Sequence, residues 1–221
     1  MIHKTLHYIW LGGDKPELIK QCISSWNTYL KDYTITEWNE SNIDISNYDP
    51  TLKQFWEESY TNKKYAFCSD ITRLYIMRDN GGVYVDSDVE FVRPLPDSFL
   101  DTPFLCRNNP TQEVNNGCIW ADIKESKLAS ACIRWFAERL QTRKESYGTG
   151  WIFNRILDSY FIMFGYDRHI KDTQDVVGYK IHPTDFFCPM NIMNKGLYKT
   201  ENTISIHHYM KSWKPQNINK G

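Results

Sequence analysis

Gly81-Gly82-Val83-Tyr84-Val85-Asp86-Ser87-Asp88 is the stretch that decides the fold of this chain. A glycine pair favours a tight turn, and the alternating residues after it predict a strand that runs to Val89. Because side chains of a strand alternate between its faces, the valines share one face and Tyr84, Asp86 and Asp88 the other. The strand rise separates the two carboxylates by about 7 Å at Cα, so they can share one hard cation or divide between a cation and a ribose. An edge strand with an acidic outer face is the alternative interpretation.

The composition is that of a globular chain of 221 residues, long enough for one domain with a substantial core. Its 26 Lys and Arg against 27 Asp and Glu give a net charge of −1, which argues against a general attraction to nucleic acid or anionic membrane. No apolar run reaches the roughly 18 residues of a spanning helix, and histidine interrupts the short apolar run near the start. We expect a cytoplasmic protein, either free or peripheral at the inner face of the plasma membrane.

The cysteines are scattered and contain no C-x-x-C pair. In a chain of this length, that pattern predicts reduced thiols in a cytoplasm and argues against a zinc ribbon. The six positions are Cys22, Cys68, Cys106, Cys118, Cys132 and Cys188.

Hydrophobic periodicity predicts an alternation of strands and helices, which is typical of an α/β sheet. We expect a single domain, with a nucleotide-binding part at about 1–100 and an acceptor-side part at about 101–221. The predicted elements are strands at 5–11, 34–38, 83–89, 104–107, 118–121 and 203–209, and helices at 16–30, 52–60, 69–78, 126–142 and 153–164.

Three segments together resemble a known family of sugar transferases. They are LHYIWLGG at 6–13, SDITRLYIMRDNGGVYVDSD at 69–88 and IHHYMKSW at 206–213, and in order and spacing they resemble glycosyltransferase family 32. Bacterial capsular-polysaccharide transferases, yeast mannosyltransferases and, more distantly, glucosylating clostridial toxins share this pattern. The resemblance implies a GT-A fold, which is a Rossmann-like open mixed sheet flanked by helices. It also implies a nucleotide-sugar donor, a divalent cation that is usually Mn²⁺ or Mg²⁺, and retention of anomeric configuration.

The helix before the carboxylate strand carries two charged residues one turn apart. Ser69 or Asp70 is a predicted N-cap, and Asp70 and Arg73 share one side of the first turn. A surface ion pair is one interpretation. By resemblance, both residues instead hold hydroxyls of the donor sugar, Asp70 as acceptor and Arg73 as donor. Tyr84 either contacts the nucleotide or sugar, or packs across the sheet.

The carboxylates and one histidine form the predicted cation site. Asp88 is the predicted direct ligand, and Asp86 contacts the ribose or reaches the metal through water. His207 is the preferred third metal or diphosphate contact, because the isoleucines on the other face of its strand predict a core. His208 is the alternative, and a structural histidine stays open for both. A cation here offsets the negative charge that develops on a departing diphosphate.

The ends of the chain supply the predicted nucleotide contacts. Trp10 follows a buried strand, at the edge of an α/β sheet where ligands bind. By resemblance, Trp10 stacks on the uracil of a UDP-sugar and Leu11 and Gly12 offer backbone contacts, with a core tryptophan as the alternative. The resemblance places phosphate contacts and a closing loop at Ser212, Trp213 and Lys214.

Two glycine-containing segments are predicted to shape acceptor specificity. Asn115-Asn116-Gly117 precedes a predicted strand and Gly148-Thr149-Gly150-Trp151 precedes a predicted helix. Many relatives carry proline where this chain has Trp151, which leaves the acceptor open. No segment supplies a clear general base or nucleophile beyond the sugar, although Asp122 stays an alternative. We therefore favour front-face substitution, in which the departing phosphate helps to deprotonate the incoming hydroxyl.

The predicted function is transfer of a hexose or N-acetylhexosamine from a UDP-sugar to a saccharide acceptor, expected to be lipid-linked, in capsule or lipopolysaccharide synthesis. A toxin-like protein glycosyltransferase, a noncatalytic sugar- or nucleotide-binding domain and a metal-dependent phosphoester hydrolase are the alternatives. The Asp70, Arg73, Asp86 and Asp88 constellation argues against the last two. A peripheral membrane contact would use the late lysines Lys195, Lys199, Lys211, Lys214 and Lys220.

Overall fold

The computed structural model describes residues 1–142 and 149–210, without the side chains of 149–154. The strands are β1 (Thr5–Ile9), β2 (Thr34–Trp38), β3 (Gly82–Tyr84), β4 (Val89–Phe91), β5 (Phe104–Arg107), β6 (Val114–Asp122), β7 (Gln174–Val176), β8 (Tyr179–His182) and β9 (Ser205–His207). The helices are α1 (Glu17–Tyr29), α2 (Pro50–Thr61), α3 (Tyr65–Asp79), α4 (Lys127–Thr142), α5 (Thr149–Met163) and α6 (Thr184–Phe187), with a 3₁₀ turn at Asp97–Asp101.

Seven of the strands form one mixed sheet in the order β2-β1-β3-β6-β5-β8-β7. β1 runs parallel to both β2 and β3, and β5 runs parallel to β8, whereas the other pairs are antiparallel. β4 and β9 form a separate antiparallel pair. Helices cover the large sheet, and a cluster of buried side chains lies on each of its faces. This arrangement confirms the predicted open mixed α/β sheet flanked by helices.

The amphipathic pattern of α1 explains how the first β-α unit packs. Its buried stripe of Ile19, Cys22 and Trp26 faces the sheet. The indole N–H of Trp26 donates to the carbonyl of Val89 at 2.7 Å, so a buried polar group is satisfied and α1 is tied to β4. The prediction of a helix at 16–30 is therefore confirmed within one residue at each end.

Helix α3 begins earlier than the sequence predicts. Its N-cap is Lys64, which makes no side-chain cap hydrogen bond, so the predicted cap at Ser69 or Asp70 is wrong. Both residues lie inside the helix, and the hydroxyl of Ser69 donates to the carbonyl of Tyr65 at 3.1 Å. The helix is buried on most of its circumference, and tertiary burial rather than a cap determines where it starts. Asp70 is consequently a buried residue of a central helix.

The predicted single strand at 83–89 is also wrong. β3 ends at Tyr84, the chain turns between Asp86 and Asp88, and β4 leaves to pair with β9. The amide of Val89 donates to the carbonyl of Asp86 at 3.1 Å and closes this turn. The positions of Asp86 and Asp88 therefore do not follow from the alternation of side chains along one strand. The turn brings them together at the carboxyl end of β3.

Other boundaries move by a few residues. β1 ends at Ile9, β6 begins at Val114 and α5 begins at Thr149. Asn115-Asn116-Gly117 thus lies inside a strand and residues 149–151 lie inside a helix, whereas the sequence predicted that both segments precede an element. The β7–β8 hairpin and α6 were not predicted, because three- and four-residue elements are too short to show periodicity.

The described helices of residues 1–142 and 149–210 include none that is both long and apolar enough to cross a membrane. The division into a nucleotide-binding first part and an acceptor-side second part stays a prediction.

Two buried histidines are expected to make the fold sensitive to mild acid. Burial lowers the pKa of His7 and of His182 to about 4 each, with nearby positive charge acting in the same direction. The unfolded chain takes up these protons near pH 6.5 and the folded chain only near pH 4, so stability is present above 6.5 and lost as pH falls toward 4. Each histidine accounts for about 3 kcal/mol over that window. Urea unfolding at pH 7.5 and pH 5 measures the loss.

His182→Gln is the matched variant for this prediction. The ring of His182 lies beside Phe99 and Phe104, and its Nδ1 is 3.0 Å from the hydroxyl of Thr173. Removing the titrating ring is expected to reduce the difference in the free energy of unfolding between the two pH values. An unchanged difference would show that His182 does not titrate in this window.

Candidate active site

Two carboxylates and one imidazole meet where β3 ends. Because β9 pairs with β4, His207 lies opposite Val89 and its side chain reaches the turn that carries Asp86 and Asp88. The Nε2 of His207 lies 3.1 Å from an oxygen of Asp88 and 3.8 Å from an oxygen of Asp86. The three potential ligand atoms all lie within 4.8 Å of one another. The sequence-predicted trio is therefore brought together by the two-stranded sheet.

Asp88 and His207 form a buried ion pair. Burial acts to raise the pKa of Asp88, but the charge and hydrogen bond of His207 outweigh it and lower that pKa to about 2. Burial likewise acts to lower the pKa of His207, and Asp88 raises it to about 10. The second oxygen of Asp88 accepts from the amide of Met210 at 2.7 Å. Asp88 is thus held by contacts on both of its oxygens.

The neighbouring histidine has a different partner. The Nε2 of His208 lies 2.9 Å from a carboxylate oxygen of Glu90, on a side chain that is 39% exposed. Of the two histidines that the sequence left open, the structure brings His207 and not His208 to the paired carboxylates. A catalytic or metal-binding role for His207 stays a prediction.

Arg73 joins helix α3 to the carboxylate turn. Its Nη2 lies 2.7 Å from Asp70 and 3.1 Å from Asp86, and the Arg73 side chain is only 5% exposed. The guanidinium lies over the ring of Tyr84 at 5.0 Å, and the Tyr84 hydroxyl donates to Asp86 at 3.0 Å. The Asp70–Arg73 pair is therefore buried rather than a surface ion pair. Tyr84 is itself 1% exposed, and its predicted contact with a nucleotide stays untested.

Gly117 of β6 packs directly against this cluster. A Cβ at this position would lie 2.3 Å from an oxygen of Asp86 and 2.7 Å from Nη1 of Arg73. The carbonyl of Gly117 accepts from the amide of Asp86 at 2.7 Å. The preceding residue, Asn116, is 3% exposed, and its side-chain amide nitrogen has no hydrogen bond to the part of the chain that the structure describes. The sequence analysis predicts that Asn115-Asn116-Gly117 shapes acceptor specificity. It does not predict that Gly117 packs against Asp86.

Gly117→Ala is expected to lower activity about 100-fold or more while the protein still folds. The added methyl group must displace either the Asp86 carboxylate or the Arg73 guanidinium. The sequence predicts that both groups are catalytic, and small displacements at a reacting centre are costly. Overpacking of this kind costs about 1–3 kcal/mol of stability. A catalytic assay and urea unfolding measure the two effects. Wild-type activity in a stable variant would contradict the close approach.

The N-terminal glycine loop lies at the same edge of the sheet. β1 is parallel to β3, so Trp10, Leu11 and Gly12 follow the same carboxyl edge as the aspartates. Trp10 is half-buried and its indole donates to the carbonyl of Gly13 at 2.8 Å. The amide of Gly12 donates to Glu40 at 2.9 Å, and a Cβ on Gly12 would enter a tyrosine ring.

Several predicted residues lie elsewhere. Asp122, left open as a base or nucleophile, is 1% exposed and pairs with Gly82 at the start of β3, the end opposite Asp86. Its carboxylate accepts hydrogen bonds from Trp120, Ser126 and Tyr179. These bonds are those of a residue that supports the fold. Outside the described residues lie Ser212, Trp213, Lys214, Lys211, Lys220, Gly148 and the side chain of Trp151.

A group of buried thiols lies behind His207. The Sγ atoms of Cys118 and Cys188 and a ring nitrogen of His207 lie within 4.8 Å of one another. Cys188 is 2.7 Å from the hydroxyl of Tyr209, whose ring stacks on His207 at a centroid distance of 4.1 Å. Nδ1 of His207 makes no hydrogen bond of ordinary geometry within residues 1–142 and 149–210. No spacing in the sequence indicates this cluster, because its members are far apart in the chain.

Comparison with known proteins reveals two resemblances. The chain is 25% identical over 162 residues to Subversion of eukaryotic traffic protein A of Legionella pneumophila, which covers 63% of this chain and 25% of that protein. This chain therefore spans about a quarter of the curated relative it matches. Among solved structures, PaToxG glycosyltransferase superposes with a TM-score of 0.59 at 19% identity, over 74% of this chain and 72% of that one. At that identity the likeness supports the fold alone.

The match to a protein family is broader. The family described as capsular polysaccharide synthesis protein matches residues 1–161, which is most of the 221-residue chain. The matched range includes Asp70, Arg73, Asp86 and Asp88, whereas His207 lies beyond it. The chain therefore belongs to the capsular polysaccharide synthesis protein family, and its mixed sheet resembles the sheet of a solved glycosyltransferase.

Proposed function

We propose that this protein is a glycosyltransferase that moves a hexose or N-acetylhexosamine from a UDP-sugar to a saccharide acceptor, with a divalent cation and with retention of configuration. The observation that carries the proposal is the convergence of Asp86, Asp88 and His207 beside the buried Asp70–Arg73 pair. All five side chains meet at the carboxyl edge of the sheet, the edge at which α/β proteins bind ligands. The proposed context is capsule or lipopolysaccharide synthesis with a lipid-linked acceptor, and the family description supports its capsule part.

The donor atoms suit a hard or borderline divalent cation. Two carboxylates and an imidazole match Mn²⁺, and the carboxylates match Mg²⁺. Asp88 and His207 would ligate the cation, and Asp86 would ligate it through water or hold the ribose. When bound, the cation offsets the charge that accumulates on the diphosphate leaving group. The described contacts already bring these ligand atoms within 4.8 Å, so only small movements are needed to bind an ion.

Asp70 and Arg73 are the proposed sugar contacts. Arg73 has five N–H donors in a rigid fork, and the two flanking carboxylates fix that fork before a substrate arrives. A sugar hydroxyl therefore meets donors and acceptors that need little reorganisation. Trp10 is the proposed stacking surface for uracil, with Leu11 and Gly12 as backbone contacts. Ser212, Trp213 and Lys214 are the proposed phosphate contacts.

The stereochemical part of the proposal rests on the lack of a candidate nucleophile among the residues that the structure describes. Asp122 lies at the opposite end of the sheet, and Asp86 is engaged by Arg73 and Tyr84. Front-face substitution needs no enzyme nucleophile, because the departing phosphate accepts the proton of the incoming hydroxyl. Intact-mass analysis after incubation with donor should detect no glycosylated enzyme. A trapped covalent adduct would replace this mechanism with double displacement.

A donor screen tests the proposed function without an acceptor. Purified enzyme is incubated with UDP-glucose, UDP-galactose and their N-acetyl forms, with Mn²⁺ or with a chelator, and released UDP is measured. We expect slow hydrolysis of one donor in Mn²⁺ and at least a tenfold decrease with chelator. A single hydroxyl or acetamido group separates these donors, so one should be preferred. The proposal would be refuted if no donor released UDP, or if the chelator left the rate of UDP release unchanged.

A second candidate is transfer of sugar to a protein. It is favoured by the similarity to a Legionella protein that is named for subversion of eukaryotic traffic. The two candidates share the donor site and differ in the acceptor. Radiolabelled donor sugar incubated with bacterial lipid extracts and with eukaryotic lysate separates them, since label enters a glycolipid in one case and a protein band in the other.

A further inference from the structure

The imidazole of His207 has thiols on the side away from the open part of the site. Cys106, Cys118 and Cys188 are all fully buried, and each interacts with the other two. β5 and β6 are antiparallel neighbours, which brings Cys106 and Cys118 near each other, and Cys188 arrives directly after α6. Three separate parts of the chain therefore converge behind one histidine.

The ligand atoms of this group suit a different class of metal from the carboxylate pair. Thiolate sulfur and imidazole nitrogen are the ligands of structural zinc, at about 2.3 Å and 2.0–2.1 Å in a tetrahedral arrangement. Sulfur and nitrogen atoms within 4.8 Å of one another need only small shifts to reach a common ion. The thiol of Cys106 and the hydroxyl of Tyr209 lie against the same group and are candidates for the fourth position.

A second observation also points to a ligand. His207 is 6% exposed, and within the described residues its Nδ1 makes no hydrogen bond of ordinary geometry, although the ring interacts with the thiol of Cys188. A buried ring nitrogen without such a partner normally costs free energy. A bound metal ion on this side would bind both Nδ1 and the Cys188 sulfur that it now faces.

We propose that Cys118, Cys188 and His207 form a second metal site for a thiophilic divalent cation such as Zn²⁺. Binding forms two Zn–S bonds and one Zn–N bond. The thiol protons and the Nδ1 proton of the His207 imidazolium pass to solvent, and the proton on Nε2 stays beside Asp88. The chain has no zinc-ribbon spacing, so the site depends on the tertiary fold and not on a local sequence motif.

The two sites share His207 and therefore exclude each other. A neutral imidazole has a single nitrogen lone pair available for a metal, and the other nitrogen carries the proton. Zinc on the thiol side consequently removes the third ligand of the carboxylate site, and this competition rests on the proposed function. The predicted outcome is an enzyme that Mn²⁺ supports and Zn²⁺ inhibits.

X-ray absorption at the zinc edge tests the site directly in the unaltered protein. One equivalent of Zn²⁺ added to the metal-free chain should show two or three sulfur neighbours and at least one nitrogen neighbour. Co²⁺ in place of zinc should give the intense sulfur-to-metal absorption that thiolate ligands produce. A first shell of oxygen and nitrogen alone would place the ion at the carboxylates and overturn the proposal.

Cysteine variants assign the sulfur ligands. Cys118→Ala and Cys188→Ala should each weaken the Co²⁺ thiolate band, because each removes one sulfur ligand, whereas Cys132→Ala should leave its intensity unchanged. Cys132 is equally buried but lies in α4, within the other side-chain cluster. Thermal unfolding of each variant establishes that it folds. A thiolate band of undiminished intensity in either of the first two variants would contradict the assignment.

Competition is measured separately, by Mn²⁺ binding in the presence of zinc. One equivalent of Zn²⁺ should weaken Mn²⁺ binding at least tenfold in the wild type and should no longer do so in Cys118→Ala. If sulfur ligation is found but Mn²⁺ binding does not respond, the zinc site stands and the proposed role of His207 in the carboxylate site fails. If sulfur ligation is absent and UDP-sugar cleavage still needs Mn²⁺, the proposed function stands alone.

Discussion

Asp88→Asn is expected to lower Mn²⁺-dependent cleavage of the sugar donor by on the order of 10³-fold. The amide keeps the shape of the side chain but removes the charge that would hold a cation at this turn. It also leaves His207 without the carboxylate that now lies 3.1 Å from its Nε2. Released UDP under saturating donor gives the rate, and an activity assay across Mn²⁺ concentrations shows whether extra metal recovers it.

Glu90→Gln is the matched control. Glu90 lies two residues after Asp88, and Glu90→Gln removes the same charge as Asp88→Asn. The partner of Glu90 is His208, however, and the Glu90 side chain is 39% exposed. Its substitution should change the rate by less than about twofold, because the exposed pair contributes little. Equal losses in both variants would mean that the effect comes from net charge near the turn and not from a ligand at Asp88.

Arg73→Met is expected to destabilise the protein by about 3 kcal/mol as well as to inactivate it. Arg73 is paired with Asp70 and Asp86, and removing one member of a buried ionic group leaves uncompensated charge. Asp86 is 26% exposed, so solvent offsets part of the cost and the value lies at the low end for buried pairs. For a chain of this size the loss corresponds to a fall in Tm of about 6–12 °C.

A double variant separates the electrostatic cause from a packing defect. Arg73→Met with Asp86→Asn removes one orphaned carboxylate and should recover part of the lost stability, while activity stays absent. Urea unfolding of the four proteins in this cycle gives the coupling free energy. A double variant that is destabilised by the sum of both single effects would show that Arg73 and Asp86 do not interact energetically.

The helices and the central strands were predictable because their patterns are local. The 3.6-residue stripe of α1 and the paired carboxylates are visible without any knowledge of the fold. The path of the chain between Tyr84 and Val89 was not, since only the pairing of β4 with β9 ends the strand there. The predicted N-cap at Ser69 or Asp70 was wrong for a related reason. Burial of α3 outweighs the local preference of serine and aspartate for a helix start.

The site was predictable as a set of residues but not as an arrangement. Asp70, Arg73 and the aspartates were identified from one contiguous block, yet the contact between Arg73 and Asp86 depends on how α3 packs on β3. Gly117 and the thiol cluster depend on pairing between distant strands, including an irregular register between β5 and β6. Such contacts have no signature in spacing. His207 also lies beyond the range that the family matches, so its position rests on the structure itself.

Calorimetric titration of UDP with Mn²⁺ into His207→Ala and His208→Ala tests the central claim most directly. The claim is that Asp86, Asp88 and His207 hold a divalent cation beside a UDP-sugar. Wild type and His208→Ala should bind UDP in Mn²⁺ with similar affinity, and His207→Ala should bind it about 10- to 100-fold more weakly, as expected when one metal contact is lost. Equal affinity of all three proteins, or UDP binding that is independent of Mn²⁺, would contradict the account.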